Sequence, residues 1–193
     1  MPRKFLFTRE EIIAAALELV QERGMAALTA RGLGERLGTS AKPIFGLFQN
    51  MEEVSRAVID SAWERYQQYL TAETEAGKYP PYKARGMAYI RFAGEQTELF
   101  RLLFMRDRSR EEIPTGHAAL EPELSLVREN TALGEDDAAM FHLEMWVVVH
   151  GIASMIATAY VPWDEETVSR MLTDLYLGLQ ARYQSEVKAD GSH

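Results

Sequence analysis

The stretch TARGLGERLGTSAKPIFGLF, residues 29–48, decides the fold of the N-terminal part of the chain. Two short segments with helical spacing of apolar residues flank a turn at residues 38–40, where Gly38 permits a sharp reversal. The apolar positions that would form the shared core are Leu33, Leu37, Ile44 and Leu47. This pattern predicts a helix-turn-helix, a motif that places its second helix in the major groove of DNA. An ordinary helical hairpin also needs a glycine at its turn, so the pattern by itself leaves that alternative open.

Composition and charge limit the classes of protein to which the chain can belong. The chain has 193 residues, 47% hydrophobic and 26% charged, which is typical of a globular protein. It contains no cysteine, which excludes disulfides, thiolate metal sites and cysteine nucleophiles. Residues 1–50 carry seven basic and five acidic side chains, whereas the remainder carries fourteen basic and twenty-four acidic ones. A slightly basic head on an acidic body is typical of a module that binds a polyanion, joined to a part that does not.

Capping and periodicity predict an all-α protein of about nine helices. Thr8 and Glu11 form the sequence pattern of a capping box before the first helix, and Asn50 and Glu53 repeat it before the fourth. Thr39 and Ser40 are expected to cap the third helix, with Pro43 in its first turn. The predicted helices cover residues 8–24, 29–38, 39–48, 50–76, 82–96, 99–105, 119–132, 135–160 and 164–186, and residues 106–116 are expected to be mostly loop.

Several motifs together resemble the TetR (tetracycline-repressor) family of regulators. The resemblance covers roughly residues 8–60 and rests on TREEIIAAA at 8–16, Arg23-Gly24, LTAR at 28–31, LGTS at 37–40 and FGLF at 45–48. It implies a DNA-binding domain over residues 1–52 and a helical effector-binding and dimerisation domain over 53–193. It further implies a homodimeric, ligand-responsive transcriptional regulator, most often a repressor, that binds a palindromic DNA operator and is not an enzyme.

The sequence departs from the family pattern where phosphate contacts usually lie. Family members often have Tyr-Tyr-His-Phe followed by a lysine, whereas this chain has Phe45-Gly46-Leu47-Phe48 and Met51. DNA affinity is therefore expected to depend more on Lys42, Arg31, helix N-termini and an Arg3-Lys4 arm. The candidate DNA-contacting residues are Thr29, Arg31, Thr39, Ser40, Ala41, Lys42, Pro43, Phe45, Gly46 and Phe48.

The segment at residues 145–161 carries no formal charge and is apolar nearly all round. A membrane span is the competing interpretation, but about 17 residues interrupted by His150, Ser154 and Thr158 are fewer than the roughly 20 that a span needs. Burial between a ligand cavity and a partner subunit explains the segment better. The expected dimer contacts are Met155, Tyr160, Met171, Leu172, Leu175 and Leu179.

Candidate effector contacts are chosen by their position in the C-terminal part. Trp146 and His150-Gly151 resemble a Trp-x-x-x-His-Gly signature of some family subgroups, although both side chains also fit an ordinary core. Nine methionines and 10% aromatic residues suit an adaptable hydrophobic pocket. The candidates are Tyr89, Phe92, Phe100, Phe104, Met105, His117, Trp146 and His150.

Enzyme, cofactor and metal motifs are missing from the sequence. It contains no Gly-x-Gly-x-x-Gly, no phosphate loop, no His-Glu-x-x-His and no Gly-x-Ser-x-Gly. No cofactor or metal is therefore expected. Residues 1–7 carry Arg3 and Lys4 and are not part of a long apolar run, so no secretory signal is expected and a cytoplasmic location is predicted. Two alternatives stay open: a sensory protein whose degenerate DNA-binding head uses Phe45 and Phe48 to bind a protein partner, and an all-α enzyme that uses His117 and His150.

Overall fold

The computed structural model describes residues 6–107, 117–160 and 162–190, without the side chains of residues 117–119 and 186–190. Within this part, the chain forms eight α-helices, two 3-10 helices and no strand. The α-helices are α1 Arg9–Arg23, α2 Ala30–Arg36, α3 Met51–Glu75, α4 Pro81–Glu95, α5 Thr97–Phe104, α6 His117–Thr131, α7 Glu135–Ala157 and α8 Glu165–Asp190. The all-α prediction is confirmed, and most of the expected loop at 106–116 lies outside the described residues.

Both predicted capping patterns lie at the start of a helix, but the hydrogen bond that the glutamate accepts in return differs between them. At α1, the Glu11 N–H donates to Thr8 Oγ1 at 3.1 Å and the Thr8 N–H donates back to Glu11 Oε2 at 2.8 Å. At α3, Asn50 Oδ1 accepts from the Glu53 N–H at 2.9 Å, whereas Glu53 Oε2 accepts from the N–H of Gln49 at 2.7 Å. The second pattern is therefore a cap whose return bond reaches one residue further back than predicted.

The predicted third α-helix, residues 39–48, does not form. Its place is taken by a turn and a 3-10 helix over Ile44–Gly46, and neither Thr39 nor Ser40 caps an α-helix there. Pro43 disfavours helical geometry at the residue before it and supplies no N–H, and Gly46 has a low helix propensity. Only about one turn remains between Pro43 and Phe48, which is too short to sustain an α-helix. Eight α-helices are described where about nine were expected.

The chain divides into two compact units that interleave along the sequence. The first unit comprises residues 1–68 and 95–106, and in it α1 packs against α2 and α5. The second unit comprises residues 69–94 and 107–193, and in it α7 packs against α6 and α8. This division differs from the boundary predicted at residue 52, because most of α3 and the whole of α5 belong to the first unit. The apolar face of α5 supplies fully buried side chains there, among them Leu99, Phe100 and Leu103.

Helix α7 is long and apolar enough to cross a membrane by length and composition alone. The same properties occur in the core helices of soluble proteins, and one such helix is weak support for a span. Of its most apolar window, 33% is buried. A large part of this apolar helix is therefore accessible on the surface of the chain.

Candidate nucleic-acid interface

A tight turn joins α2 to residues 39–48. Gly38 has φ 67°, a left-handed conformation that a residue with a side chain rarely adopts. The Thr39 N–H donates to the carbonyl of Gly34 at 2.9 Å, which closes the turn onto α2. A Cβ on Gly34 would lie 3.0 Å from the carbonyl oxygen of Thr39 and 3.1 Å from the carbonyl carbon of Ser40. Gly38 is therefore required by its positive φ, as the helix-turn-helix pattern predicted, and Gly34 by the close approach of residues 39–41.

We call residues 39–48 the recognition segment. Its inward side is formed by Ile44, fully buried, and Phe48, whose exposed fraction is 2%, and both join a core that includes Leu33 of α2. Backbone bonds within the segment include the Phe48 N–H donating to the Ile44 carbonyl at 2.9 Å. The outward side consists of Ser40, Lys42, Phe45 and Gly46, all exposed. The segment thus presents one accessible face although it is not an α-helix.

The prediction that Phe48 contacts DNA is wrong, because its ring lies in the core. The guanidinium of Arg9 covers that ring, with 4.1 Å between Cζ and the ring centroid. The same guanidinium donates to the Leu47 carbonyl at 3.0 Å and to Glu53 Oε1 at 2.7 Å. Arg9 therefore fastens the end of the recognition segment to α1 and α3, a role that the sequence did not reveal.

The other predicted DNA contacts lie at or near the surface. Thr29 is exposed and caps α2, accepting from the Gly32 N–H at 3.0 Å through its Oγ1. Arg31 is exposed but forms an ion pair with Glu35, with 2.8 Å between Nε and Oε1. Lys42 is exposed and has no hydrogen-bond or ion-pair partner in the part of the chain that the structure describes. Thr39, Ala41 and Pro43 are half-buried.

Ion pairs fix the C-terminal end of α2 to α1. Arg36 of α2 donates to Glu18 and Glu22 of α1, at 2.7 Å in each case. Its hydrogen bonds, first to Glu22 and then to Glu18, raise the pKa of the Arg36 guanidinium. The bond from Arg36 also lowers the pKa of the Glu22 carboxyl. Helices α1 and α2 are therefore joined by both apolar packing and charge.

Three predicted effector contacts come together in the second unit. His150 stacks on Trp146 with 5.1 Å between ring centroids and 15° between planes, and Tyr89 Oη lies 2.8 Å from His150 Nδ1. Burial lowers the pKa of the His150 imidazole. Phe92, also in this unit, is fully buried and packs against Tyr69, with 5.2 Å between the two ring centroids.

The remaining effector candidates are placed differently. Phe100 and Phe104 belong to the first unit, where their ring centroids are 5.3 Å apart and Phe104 also contacts Trp63 and Tyr66. Met105 is exposed in the same unit. The side chain of His117 lies outside the described residues.

The second unit contains another polar cluster, which the sequence analysis did not predict. Tyr82 Oη of α4 lies 3.0 Å from His142 Nδ1 of α7, and the neighbouring Arg85 pairs with Glu123 of α6. Burial is the main cause that lowers the pKa of His142 and that raises the pKa of Tyr82. The partners of His142 come from other helices, so no local pattern in the sequence showed this cluster.

The predicted dimer contacts differ in accessibility. Met155, Tyr160 and Met171 are exposed and Leu175 and Leu179 are half-buried, whereas Leu172 is only 2% exposed and packs within the subunit. Further apolar side chains are exposed along α7: Met140, Leu143, Trp146 and Val147. Met140, Leu143 and Val147 were not predicted as dimer contacts, although their spacing of three and four residues was visible in the sequence.

Two family models match the chain and together cover more than half of it. Residues 12–58 match the model described as bacterial regulatory proteins, tetR family, and residues 82–175 match the model of a tetracyclin repressor-like C-terminal domain. The chain belongs to the TetR family of transcriptional regulators, with a DNA-binding helix-turn-helix and a C-terminal ligand-binding domain. Members of this family are regulators and not enzymes. No curated protein sequence is significantly similar to the chain.

Solved structures share the fold at low sequence identity. A TetR-like transcriptional regulator from Rhodococcus sp. RHA1 has a TM-score of 0.64 at 14% identity, over 91% of this chain and 94% of that one. A TetR-family member from Streptomyces coelicolor A3 has a TM-score of 0.58 at 20% identity, over 86% and 96%. The multidrug binding protein EbrR, solved with imidazole, has a TM-score of 0.57 at 20% identity, over 86% and 93%. At these identities the likeness establishes the fold alone.

Proposed function

We propose that this chain is a homodimeric repressor that leaves a near-palindromic operator when a small hydrophobic effector binds. The observation that carries the proposal is the exposed outer face of the recognition segment, which includes Ser40, Phe45 and Lys42, an ammonium with no ion-pair partner among the described residues. Phosphate contacts give affinity and base-edge contacts give specificity. Lys42 and Ser40 suit hydrogen bonds with phosphates or base edges, and the ring of Phe45 suits a thymine methyl.

We expect few positively charged side chains in the contact with DNA. Arg31 must give up or share its ion pair with Glu35 to bind a phosphate, and the usual tyrosine, histidine and lysine positions are occupied by Phe45, Gly46, Leu47 and Met51. Few phosphates are therefore neutralised by each subunit, and binding depends on both subunits acting together. Two recognition segments in a dimer would enter successive major grooves about 34–36 Å apart.

Dimerisation is supported by the apolar surface of α7. Val147 is 57% exposed and Met140 51% exposed, and with Leu143 they line one side of the helix at helical spacing. Monomeric proteins rarely leave a contiguous apolar face of this kind in water. A second copy of the chain packed on α7 and on the exposed Met171 of α8 would cover it.

We expect the effector to bind in the second unit, around Tyr89, Trp146 and His150. These side chains provide stacked aromatic surface and a hydrogen-bonding pair, the combination that orients small apolar ligands. An effector there would favour a conformation in which the two recognition segments no longer match the groove spacing, acting through α3. Effector and DNA then weaken each other's binding by the same factor. A cytoplasmic location and the absence of a membrane span are part of the same proposal.

A gel shift of the purified protein with its own upstream intergenic DNA tests the proposal. We expect a discrete shifted band that survives non-specific competitor and weakens at higher salt. Addition of small hydrophobic compounds is then expected to release the band for at least one chemical class. A protein that gives no discrete shift even at low salt would contradict the proposal.

A further inference from the structure

The recognition segment has the hydrogen bonds of a 3-10 helix over most of its length. The N–H groups of Ile44, Gly46 and Leu47 each donate to a carbonyl three residues earlier, at 3.0–3.2 Å. The N–H of Phe48 donates to the carbonyl four residues earlier, that of Ile44, at 2.9 Å. A spacing of three residues is typical of a 3-10 helix and a spacing of four of an α-helix. The segment therefore has α-helical bonding at its C-terminal end only.

The N–H of Phe45 donates to no acceptor in the part of the chain that the structure describes. In an α-helix it would donate to the carbonyl of Ala41, four residues earlier. That bond forms if the three donors with 3-10 spacing each move to the carbonyl one residue further back, which turns residues 41–48 into about two turns of α-helix. The α-helical form thus contains one backbone hydrogen bond more than the form observed here.

The buried side of the segment already fits an α-helix. Ile44 is fully buried and Phe48 is 2% exposed. Residues four apart are separated by ~40° around an α-helix but by ~120° around a 3-10 helix, so two buried side chains at this spacing suit the α-helical form. Pro43 has φ −60° and ψ −34°, which are right-handed helical values, and proline is tolerated in the first turn of a helix. The change therefore requires no new anchor in the core.

Gly46 opposes the α-helical form in the free protein. Glycine has the lowest helix propensity apart from proline, and two turns of helix are too few to offset the cost of nucleation. Gly46 is exposed, so no side chain packed in the core compensates for its backbone freedom. The 3-10 form is therefore close in structure to an α-helix that the free segment does not sustain.

We infer that operator binding converts residues 41–48 into a short α-helix, and that Gly46 sets how much affinity this conversion costs. The inference rests on the proposed function, because DNA supplies the free energy for the change. The second helix of a helix-turn-helix lies in the major groove, and a ligand shifts an equilibrium toward the conformation that it binds better. The affinity of the free protein is reduced by the fraction of molecules that lack the α-helical form.

The conversion changes the face that meets the bases. Lys42 and Phe45 are three residues apart, so they lie on one line along a 3-10 helix but are separated by ~60° around an α-helix. The rise between them also decreases, from ~6 Å to ~4.5 Å. The arrangement of these two side chains in the free protein therefore differs from the one that reads the operator.

The first test compares amide hydrogen exchange at Phe45 and Lys42, measured by NMR on the full-length protein with and without an operator duplex. The Lys42 N–H lies in the first turn and has no partner within the α-helix, so coverage by DNA alone slows both amides alike. We expect operator binding to slow exchange at Phe45 at least tenfold more than at Lys42. Equal slowing at both amides in the complex overturns the inference but leaves DNA binding intact. A protein that binds no operator overturns both.

The second test measures operator affinity for Gly46→Ala and the matched variant Gly46→Val, after circular dichroism has confirmed that both are folded. Alanine is the best helix former and valine is intermediate, so we expect Gly46→Ala to tighten binding about fivefold for each half-site and Gly46→Val about twofold. A new apolar contact with DNA would instead favour the larger valine. Wild-type affinity in Gly46→Ala, or tightening by valine equal to that by alanine, overturns the role of Gly46.

Discussion

Arg9 forms an ion pair with Glu53, with 2.7 Å between Nη2 and Oε1, and this pair connects the first turn of α1 to the first turn of α3. The second terminal nitrogen of Arg9 donates to the Leu47 carbonyl at 3.0 Å. The N–H of Gln49 and then Arg9 lower the pKa of the Glu53 carboxyl. The end of the recognition segment is thus held by a side chain of α1.

Replacing Arg9 with alanine is expected to loosen the recognition segment. The variant removes the bond to the Leu47 carbonyl, the cover over Phe48 and the ion pair with Glu53, whose carboxylate keeps the bond from the Gln49 N–H. We expect a loss of about 1–2 kcal/mol in the free energy of unfolding, because the lost bonds are charged but partly exposed to water. Urea denaturation measures it. Arg23→Ala, at the other end of α1, is the matched control and is expected to change stability little.

Gly34 is expected to tolerate no side chain. A Cβ there would press on backbone atoms of Thr39, Ser40 and Ala41 at 3.0–3.2 Å, so the turn itself would have to move. We expect Gly34→Ala to destabilise the protein by about 1–3 kcal/mol, as overpacking usually does, and to reduce DNA affinity. Gly38→Asn is the control, since Gly38 faces open space and asparagine accepts a positive φ. Equal stability of Gly34→Ala and wild type in thermal unfolding would refute this close approach.

His142 is expected to make stability depend on pH near neutrality. Burial lowers its pKa in the folded protein below the ordinary value of 6.5, with Glu123 opposing and Arg85 adding to the effect. The unfolded chain therefore binds the proton more readily, so stability is fully present above about pH 6.5 and decreases as the pH falls below it. We expect the melting temperature to fall between pH 7.5 and 5.5, and to fall less in His142→Gln. An identical fall in both proteins would show that His142 does not contribute.

The exposed side of α7 is expected to hold the dimer together. Val147→Glu places a charge in the middle of the apolar face of α7, and burying an unpaired carboxylate is costly. We expect the variant to sediment as a folded monomer at micromolar concentration in analytical ultracentrifugation. Gln67→Glu, an exposed position on α3, is the control and should leave the assembly unchanged. A dimeric Val147→Glu would move the interface away from this side of α7.

Local signals in the sequence predicted most of the helices. The capping box of Thr8 and Glu11 and the proline pair before Tyr82 fix helix starts through short-range bonds and backbone restrictions, so α1 and α4 begin within one residue of their predictions. The recognition segment was predicted wrongly as an α-helix because apolar periodicity continued through Pro43 and Gly46. There the backbone preference of two residues outweighs the side-chain pattern.

The site could be predicted only in part for a related reason. Lys42 and Ser40 were predicted as DNA contacts because the turn fixes their place along the chain, and both side chains are exposed. The ring of Phe48 is buried in the core and covered by Arg9, which lies 39 residues earlier, so no local pattern shows its burial. The Tyr82 and His142 contact likewise joins helices 60 residues apart, a relationship that no local pattern encodes.

The most direct test of DNA recognition is the salt dependence of operator affinity for wild type and Lys42→Ala, measured by fluorescence anisotropy. Lys78→Ala, which removes a lysine of the second unit, is the matched control. We expect Lys42→Ala to weaken DNA binding severely and to remain dimeric. The slope of log K against log salt should become smaller by about one for each phosphate contact that is lost. Wild-type affinity and slope in Lys42→Ala would contradict the recognition segment as the DNA-contacting surface.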